Sequence, residues 1–427
     1  MKRFVLVFVS CILLFHPYTT AGLTLESCQQ KAREHYPQVK QFGLLEKSEI
    51  YSLANAGKAY LPRLSVSAQA TYQSDITSLP PALGQALSKA IGQPVEFESI
   101  HKDQYRVVAE VNQLIWDGGG VRIQQDAIRT GSRIEKQQLE VELQQLKERV
   151  NQLFFGILSL NEQLTQLDYL HAELRANYDK VQVLCTNGIL SQSDVDLIKV
   201  EQLKLNQKKA ELRSIGQAYR RMLVIMTSDS TIARAELEKP AIPLLSDTIH
   251  RPELEIFSLQ KDLLATRERS LRAANLPNAG AFLQGGYGNP GLNMLEPGFT
   301  PWYMVGARLS WNISGLYTQK DKLKNLAISR KTVDVQQETF LHNTRLRMEQ
   351  LQQELEKIGE QLKTDEEIVA LRKQIKKAAE ARVENGTMTV TDLLREITAE
   401  NAAIQEQKQR ELQWLMILYE LKLIINC

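Results

Sequence analysis

The sequence contains an imperfect internal duplication, and this feature constrains the possible folds more than any other. Four short matches recur in the same order roughly 200 residues apart: Leu61-Pro62 with Leu276-Pro277, Trp116-Asp117 with Trp311-Asn312, Asn187-Gly188 with Asn385-Gly386, and Asp194 with Asp392. Matches in a fixed order indicate two copies of one structural unit. We therefore predict a first repeat at 22–226, an inter-repeat or equatorial linker at 227–250, and a second repeat at 251–427.

Each repeat has the same order of predicted elements, namely a helix, a β-hairpin and a long helical hairpin. The opening helices are predicted at 25–60 and 252–276, the β-hairpins at 62–116 and 277–311, and the helical hairpins at 121–226 and 316–426. The sequence thus predicts a fold class that is mainly α with some β, built by internal duplication.

Alternating polar and apolar residues predict the strands of the first β-hairpin, with a polar loop between them. The apolar residues are Leu64, Val66, Ala68, Ala70 and Tyr72 on one strand, and Tyr105, Val107, Ala109 and Val111 on the next. The alternation is weaker in the second copy, where strands at 278–287 and 302–311 are assigned by their position in the repeat. Strands of about ten residues with this period are typical of membrane-barrel walls, although a pair of soluble hairpins fits the pattern equally well.

The hydrophobic period changes in the helical hairpins. From Leu139 to Leu167 the apolar residues step by four and three in turn, which predicts a coiled-coil seam. The first outgoing helix is predicted at 121–186 and would be about 100 Å long at ~1.5 Å per residue. The Asn-Gly pair that follows it predicts a left-handed cap. The return helix is predicted at 193–226, and the second copy repeats the arrangement at 316–384 and 392–425.

Charge and composition exclude several classes of function. The 52 Lys and Arg against 50 Asp and Glu give a net charge of +2, which argues against a nucleic-acid partner. The histidines and cysteines have no metal-ligand spacing, and no acid–base or nucleophile pattern is evident. The sequence therefore predicts neither an enzyme nor a cofactor or metal site. A charged run at 354–377 is interpreted as a solvated helix face or an adaptor surface.

The N-terminus has the three regions of a secretory signal. Lys2 and Arg3 precede an apolar run from Phe4 to Phe15, and small residues around Ala21 offer a cleavage site. We therefore predict a signal peptide at 1–21. A lipoprotein signal ending at Cys11 is the alternative, and it is disfavoured because too few apolar residues precede that cysteine.

Four strands per chain cannot close a barrel, because about eight is the smallest usual number. An open sheet edge in lipid leaves backbone groups without hydrogen bonds, at a cost of several kcal/mol each. If the strands enter a membrane, several chains must therefore close one barrel together. Three chains would supply twelve strands, and the helical hairpins would pack their apolar seams against neighbours to form a tube.

The predicted signal, the duplicated pattern and the short motifs together resemble the TolC-type outer-membrane factor family. The resemblance covers essentially the whole mature chain. It implies a homotrimer with a shared transmembrane β-barrel in lipid of the bacterial outer membrane and an α-barrel of coiled-coil helical hairpins extending into the periplasm. It also implies passive export of drugs, metals or secreted proteins, received from an inner-membrane transporter through a periplasmic adaptor (membrane fusion) protein.

The resemblance assigns a gate role to the two helix turns, which are the periplasmic tips in the family. The tip residues are Asn187, Gly188, Asn385 and Gly386. Asp392 falls on a family aspartate that narrows the entrance, and Asp194 is its counterpart in the first copy. The next acidic position of the family is Arg395 here, which predicts an i,i+3 ion pair with Asp392 as an alternative to a double acidic ring. Ser193-Asp194 and Thr391-Asp392 also fit ordinary helix starts.

A soluble periplasmic coiled-coil protein, either a pump adaptor or a structural tether, is the alternative to an export channel. Such a protein would have no lipid-facing strands. Fractionation therefore distinguishes the two hypotheses, because a membrane channel must resist carbonate or salt extraction and remain a detergent-stable trimer.

Overall fold

A computed structural model describes residues 23–78, 80–94, 101–246 and 248–425. The predicted signal peptide at 1–21, the alternative lipidation site at Cys11, and Cys427 lie outside the described residues. The helices are α1 Leu25–His35, α2 Lys40–Gly57, α3 Pro81–Ile91, α4 Gly120–Thr186, α5 Gln192–Thr227, α6 Pro252–Ala273, α7 Gly315–Glu384 and α8 Val390–Ile425. The strands are β1 Arg63–Tyr72, β2 Asp103–Trp116, β3 Asn278–Asn289 and β4 Thr300–Ser310. The predicted mainly α fold class with four strands is confirmed.

The chain divides into two compact units, and each unit takes segments from both repeats. Of the described residues, the first unit contains 23–39, 141–251 and 343–425, and the second contains 40–140 and 252–342. The long helices α4 and α7 contribute to both units. The tips of the helical hairpins belong to the first unit, and the sheet belongs to the second.

The opening helix of the first repeat is not continuous, so the prediction of one helix at 25–60 is wrong. Helix α1 ends at His35, and Tyr36 adopts an extended conformation with φ −66° and ψ 125°. Pro37 disfavours a helical conformation for the residue before it and has no N–H to donate. A short 3₁₀ turn at Pro37–Val39 precedes α2, and another at Lys58–Tyr60 follows it.

The loop of the first β-hairpin contains a helix, where the sequence indicated only a polar loop. Helix α3 begins with Pro81 in its first turn and ends at Gly92, whose φ is +73°. Proline suits a first helical turn, and glycine accepts the left-handed cap conformation. Most residues of this helix are exposed.

The four strands form one antiparallel sheet in the order β1-β2-β3-β4. Pairing of β2 with β3 joins the hairpin of the first repeat to the hairpin of the second, with Val111 opposite Leu283. A bulge lies between Leu114 and Trp116. Because β1 and β4 are the outer strands, the sheet has two edges.

The coiled-coil seam predicted on α4 is buried. Its buried residues in the first unit are Leu143, Leu146, Val150, Leu153, Ile157, Leu160, Leu167, Leu174 and Val181. On α7 only Leu351 and Ile358 of the corresponding seam are fully buried, and Met348, Leu355 and Leu362 are partly buried around them. Among the described helices, none combines the length and the apolar character that a membrane crossing requires.

Candidate functional site

The first hairpin tip closes α4 with a Schellman turn. Gly188 has φ +76°, and its N–H donates to the carbonyl of Cys185 at 2.9 Å. The N–H of Ile189 donates to the carbonyl of Leu184, also at 2.9 Å. Glycine accepts this left-handed conformation without the steric cost that a Cβ brings, so the Asn-Gly pair ends the helix here.

The second tip repeats the same turn. Gly386 has φ +69°, and its N–H donates to the carbonyl of Val383 at 3.0 Å. The N–H of Thr387 donates to the carbonyl of Arg382 at 2.8 Å. The internal duplication therefore extends to the hydrogen bonds of the tips.

Both predicted gate aspartates hydrogen-bond to the N-cap residue of their helix. The N-cap residues are Ser191 and Thr389, each two residues before the helix start suggested by the sequence. The Asp194 carboxylate accepts from the backbone N–H of Ser191 at 3.0 Å and from its hydroxyl at 2.7 Å. The Asp392 carboxylate accepts from the Thr389 hydroxyl at 2.7 Å, and that hydroxyl accepts from the Asp392 N–H at 3.1 Å. Each aspartate therefore stabilises a helix N-terminus, where a negative charge is favourable.

Arg395 contacts two carboxylates next to the second tip. Its Nη2 lies 3.9 Å from Asp392 Oδ1, which is the i,i+3 pair considered from the sequence, and its Nε lies 3.5 Å from Glu396 Oε1. Glu396 also pairs with Arg372 on α7 at 3.3 Å. The negative charge of Asp392 is thus partly balanced by an exposed guanidinium within the same helix turn.

The two tips pack against each other within the first unit. One hydrophobic cluster contains buried residues of both helical hairpins, including Val181 and Val195 from the first and Val383 and Val390 from the second. At the surface above the cluster, Lys180 Nζ lies 3.0 Å from Glu384 Oε1. A change in the position of one tip must therefore disturb its contact with the other.

A charged group of three residues connects α4, α7 and α8 near these tips. Lys376 Nζ lies 2.8 Å from Glu173 Oε1 and 2.5 Å from Glu400 Oε2, and the lysine side chain is only 18% exposed. Burial alone would lower the pKa of Lys376, but the two adjacent glutamate carboxylates raise the pKa above the ordinary value. The lysine therefore stays charged between its two partners.

This group corrects the interpretation of 354–377 as a uniformly solvated face. Lys376 is mostly buried, and the Asp365 carboxylate is buried in contact with the Arg410 guanidinium. The sequence contained one indication of this buried group. Glu400 follows Val390, Leu394 and Ile397 at helical spacing and therefore lies on the apolar seam of α8. A charge at a seam position requires a buried partner from another helix.

The sheet has one apolar face and one largely polar face, because directly paired residues of an antiparallel sheet point to the same side. Three paired rows define the apolar face: Leu64–Val111–Leu283–Val305, Val66–Ala109–Gly285–Tyr303 and Ala68–Val107–Tyr287–Pro301. Two rows of the other face are Ser65–Glu110–Gln284–Met304 and Gln69–Arg106–Gly288–Thr300. The apolar face predicted on β1 and β2 therefore continues across β3 and β4, whereas on these two strands the other face also carries Phe282, Trp302 and Met304.

The apolar face is the more exposed face of the sheet. Leu64 is 71% exposed, and Val66, Val305 and Leu309 are 68%, 70% and 73% exposed. Along β2 the polar-face positions are half-buried while Tyr105, Val107 and Ala109 are exposed. This is the reverse of the usual arrangement in a sheet that faces water on one side and a core on the other.

Aromatic residues lie near both ends of the apolar face. Near one end are Tyr72, Tyr105 and Tyr287, with the Phe299 ring 6.4 Å from Tyr105 and 5.5 Å from Tyr287. Near the other end is Trp116, which is paired with Ala279. Allowing for the bulge, Tyr105 and Trp116 are separated by about 33 Å of strand, or about 25 Å of height at a tilt of ~40°.

No candidate metal site is found in the part of the chain that the structure describes. No group of three or more His, Cys, Asp or Glu side chains is arranged there to hold an ion. The two functional candidates are therefore surfaces, namely the paired tips and the two faces of the sheet.

Comparisons with known proteins identify the fold. No protein-family model and no curated protein matches the sequence. The solved structure of CusC, described in connection with transmembrane channel formation, matches with a TM-score of 0.70 at 10% identity and covers 94% of this chain and 91% of that chain. The CmeC outer membrane channel of Campylobacter jejuni matches with a TM-score of 0.63 at 13% identity, covering 94% of this chain and 85% of that chain.

The outer membrane protein VceC of Vibrio cholerae is also similar, with a TM-score of 0.63 at 14% identity and 94% of both chains covered. The resemblance inferred from the sequence is thus confirmed at the level of the fold. The chain has the fold of the TolC-type outer-membrane channels.

Proposed function

We propose that this protein is the outer-membrane exit channel of a tripartite export system. Three copies would close one twelve-stranded barrel in lipid of the bacterial outer membrane, and their helical hairpins would extend into the periplasm. The channel would conduct its substrates passively and carry out no chemistry. The observation that supports this proposal most directly is the exposed apolar face of the sheet.

An exposed apolar sheet face is unfavourable in water. Burial of apolar surface is worth about 25 cal/mol per Å², so leaving Leu64, Val66, Val305 and Leu309 in water forgoes several kcal/mol. Lipid removes that cost, and the polar face would then line a water-filled lumen. The aromatic residues near both ends of the apolar face fit the two membrane interfaces, about 25 Å apart.

The unpaired edges of β1 and β4 support a trimer. Within a membrane each edge requires a neighbouring strand, because backbone groups in hydrocarbon have no water as a partner. Pairing β4 of one copy with β1 of the next leaves no free edge once the ring closes. Three copies give twelve strands, a number within the range of membrane barrels.

The paired tips support a second part of the proposal, namely docking of a periplasmic adaptor. Exposed Ile189 and the adjoining cap residues form a compact surface, and both repeats fold into this turn in the same way. The adaptor would connect this surface to an inner-membrane transporter that supplies the energy. We propose that the tips also form the periplasmic entrance of the channel. The residues assigned to this entrance are Asn187, Gly188, Asp194, Asn385, Gly386, Asp392 and Arg395.

The alternative of a soluble periplasmic adaptor or tether explains the helical hairpins but not the sheet. A soluble protein would bury Leu64 and Val305 rather than expose them. It would also have no need to join the hairpins of two repeats into one sheet with two open edges. These two observations favour the channel.

Fractionation, detergent behaviour and conductance together test the proposal. We expect the full-length protein to remain in the outer-membrane fraction after carbonate extraction and to purify in detergent as a trimer. We also expect the purified trimer to conduct ions across a planar lipid bilayer. A monomer that is soluble without detergent would contradict the proposed function.

A further inference from the structure

The polar face of the sheet carries three arginines that have no carboxylate partner among the described residues. These are Arg63 on β1, Arg106 on β2 and Arg308 on β4, and the sheet register puts all three on one side. Within the four described strands, the only acidic residue on that face is Glu110, whose Oε1 accepts from Asn112 Nδ2 at 2.9 Å. The face therefore has an excess of positive charge.

Two of the arginines line one cavity. Arg63 and Arg308 border a pocket of about 220 Å³ together with Asn112, Gln113 and Phe282, and none of its lining residues is acidic. The pocket is built from all four strands and the turn that precedes β1. Its polar lining offers guanidinium and amide donors.

Packing on the sheet holds one of these guanidinium groups. The Arg308 guanidinium carbon lies 5.0 Å from the centroid of the Phe282 ring. A Cβ at Gly306 would come within 2.7 Å of that ring, so glycine allows Phe282 to lie against β4. Stacking on an aromatic ring favours an arginine cation and restricts its side chain. Arg308 is thereby oriented without a carboxylate.

We infer that the polar face binds anions and that the barrel favours solutes bearing carboxylate or phosphate groups. This inference rests on the proposed function, because it assigns the polar face to the channel lumen. Guanidinium groups match carboxylate and phosphate oxygens with paired hydrogen bonds. In a trimer the described strands would contribute nine such arginines and three copies of Glu110 to the lumen, and low-dielectric walls strengthen the resulting potential.

Inositol hexakisphosphate is a suitable probe, because it is a soluble polyanion that can contact several arginines at once. Isothermal titration of the detergent-solubilised trimer measures its binding independently of conductance. We expect binding to the wild-type trimer, and we expect affinity to fall about tenfold or more in the Arg63→Gln/Arg308→Gln variant, since charged hydrogen bonds are the strong ones. Affinity should also fall with added salt, less steeply in the variant.

Three further variants control for folding and for general charge effects. Arg63→Lys/Arg308→Lys keeps the charge and should retain more affinity than the glutamine variant. Glu110→Gln should strengthen binding, and Arg129→Gln, which removes an exposed charge on α4 paired with Asp126, should leave it unchanged. Each variant is compared as a detergent-stable trimer with an unchanged circular dichroism spectrum.

The outcomes separate this inference from the proposed function. A trimer that conducts ions but does not bind inositol hexakisphosphate, or whose affinity is equal in wild type and the glutamine variant, overturns the inference alone. A chain that neither forms a trimer nor conducts overturns the proposed function and the inference with it.

Discussion

Lys376 on α7 contacts Glu173 on α4, with 2.8 Å between Nζ and Oε1, and the same ammonium group contacts Glu400 on α8. Three helices from two repeats therefore share one mostly buried cation. Removing it leaves two carboxylates without their partner, which costs far more than losing an exposed ion pair.

The substitution Lys376→Met should destabilise the protein by about 2–4 kcal/mol, because the buried Glu400 and the partly buried Glu173 would lose their counter-charge. Lys180→Met is the matched control on the same surface, since Lys180 pairs with Glu384 at an exposed site and should cost below ~1 kcal/mol. Denaturant unfolding of both variants, followed by circular dichroism, measures the difference. Equal losses would contradict a structural role for the buried group.

The pairing of Lys31 with Asp229 predicts that the folding stability depends on pH in the acidic range. Hydrogen bonds from Lys31 and then Thr231 lower the pKa of Asp229 from its ordinary value of 3.8 to about 2. Because the pKa is lower in the folded state, the contribution of this carboxylate is present above pH ~4 and is lost as the pH falls towards ~2.

The stability difference between wild type and Asp229→Asn should therefore be constant near neutral pH and shrink between pH ~4 and ~2. Thr231→Val removes the hydrogen bond from the Thr231 hydroxyl to Asp229 and should narrow the pH interval over which the stability difference shrinks. Thermal unfolding across the pH range provides the measurement. A difference that does not change with pH would contradict this account of Asp229.

Neighbouring residues on β1 test the assignment of the two sheet faces. Val66→Lys puts a charge on the proposed lipid face and should cost ~2–4 kcal/mol at the bilayer midplane, reducing the yield of trimer in the outer membrane. Ser67→Lys puts the same charge on the proposed lumen face and should assemble normally. Native gels of outer-membrane extracts compare the two. Equal assembly of both variants would contradict the lipid-facing assignment.

Asp392 provides a test of the proposed entrance. Three copies that converge on an axis would attract cations, so Asp392→Asn should reduce block of single-channel current by a multivalent cation. Asparagine can still accept the hydrogen bond from Thr389, which limits the loss of the helix cap. Arg395→Gln removes the neighbouring positive charge and should increase the block.

Asp194→Asn gives the comparison in the other repeat, because Asp194 caps α5 in the same way and is also proposed to lie at the entrance. If Asp392→Asn leaves the cation block unchanged, Asp392 serves only as a helix cap.

Features that depend on local chemistry could be predicted from the sequence. The period of Leu143, Leu146 and Val150 predicted the buried seam, since the spacing of apolar residues alone defines that face of a helix. Gly188 and Gly386 predicted the tips, since a left-handed cap favours glycine.

Features that depend on residues distant in the sequence were not predictable in the same way. The partners of Lys376 lie on two other helices, so the sequence around it resembles a solvated face. Helix α3 was missed because prolines flank it and Gly84 interrupts it, although Leu83, Leu87 and Ile91 recur at helical spacing. The break at Tyr36 was missed although Pro37 supplied a local signal.

The pairing of β2 with β3 has a consequence for how the chain matures. Val111 pairs with Leu283 across this junction, and these residues are far apart in the sequence. The first β-hairpin therefore has no partner strand until most of the chain has been synthesised. Until β3 has been synthesised, the apolar face and the unpaired edge of the first hairpin can contact other molecules, and such contacts lead to aggregation. For the proposed outer-membrane channel, biogenesis should therefore depend on factors that shield the first strands until the second half of the chain has been exported.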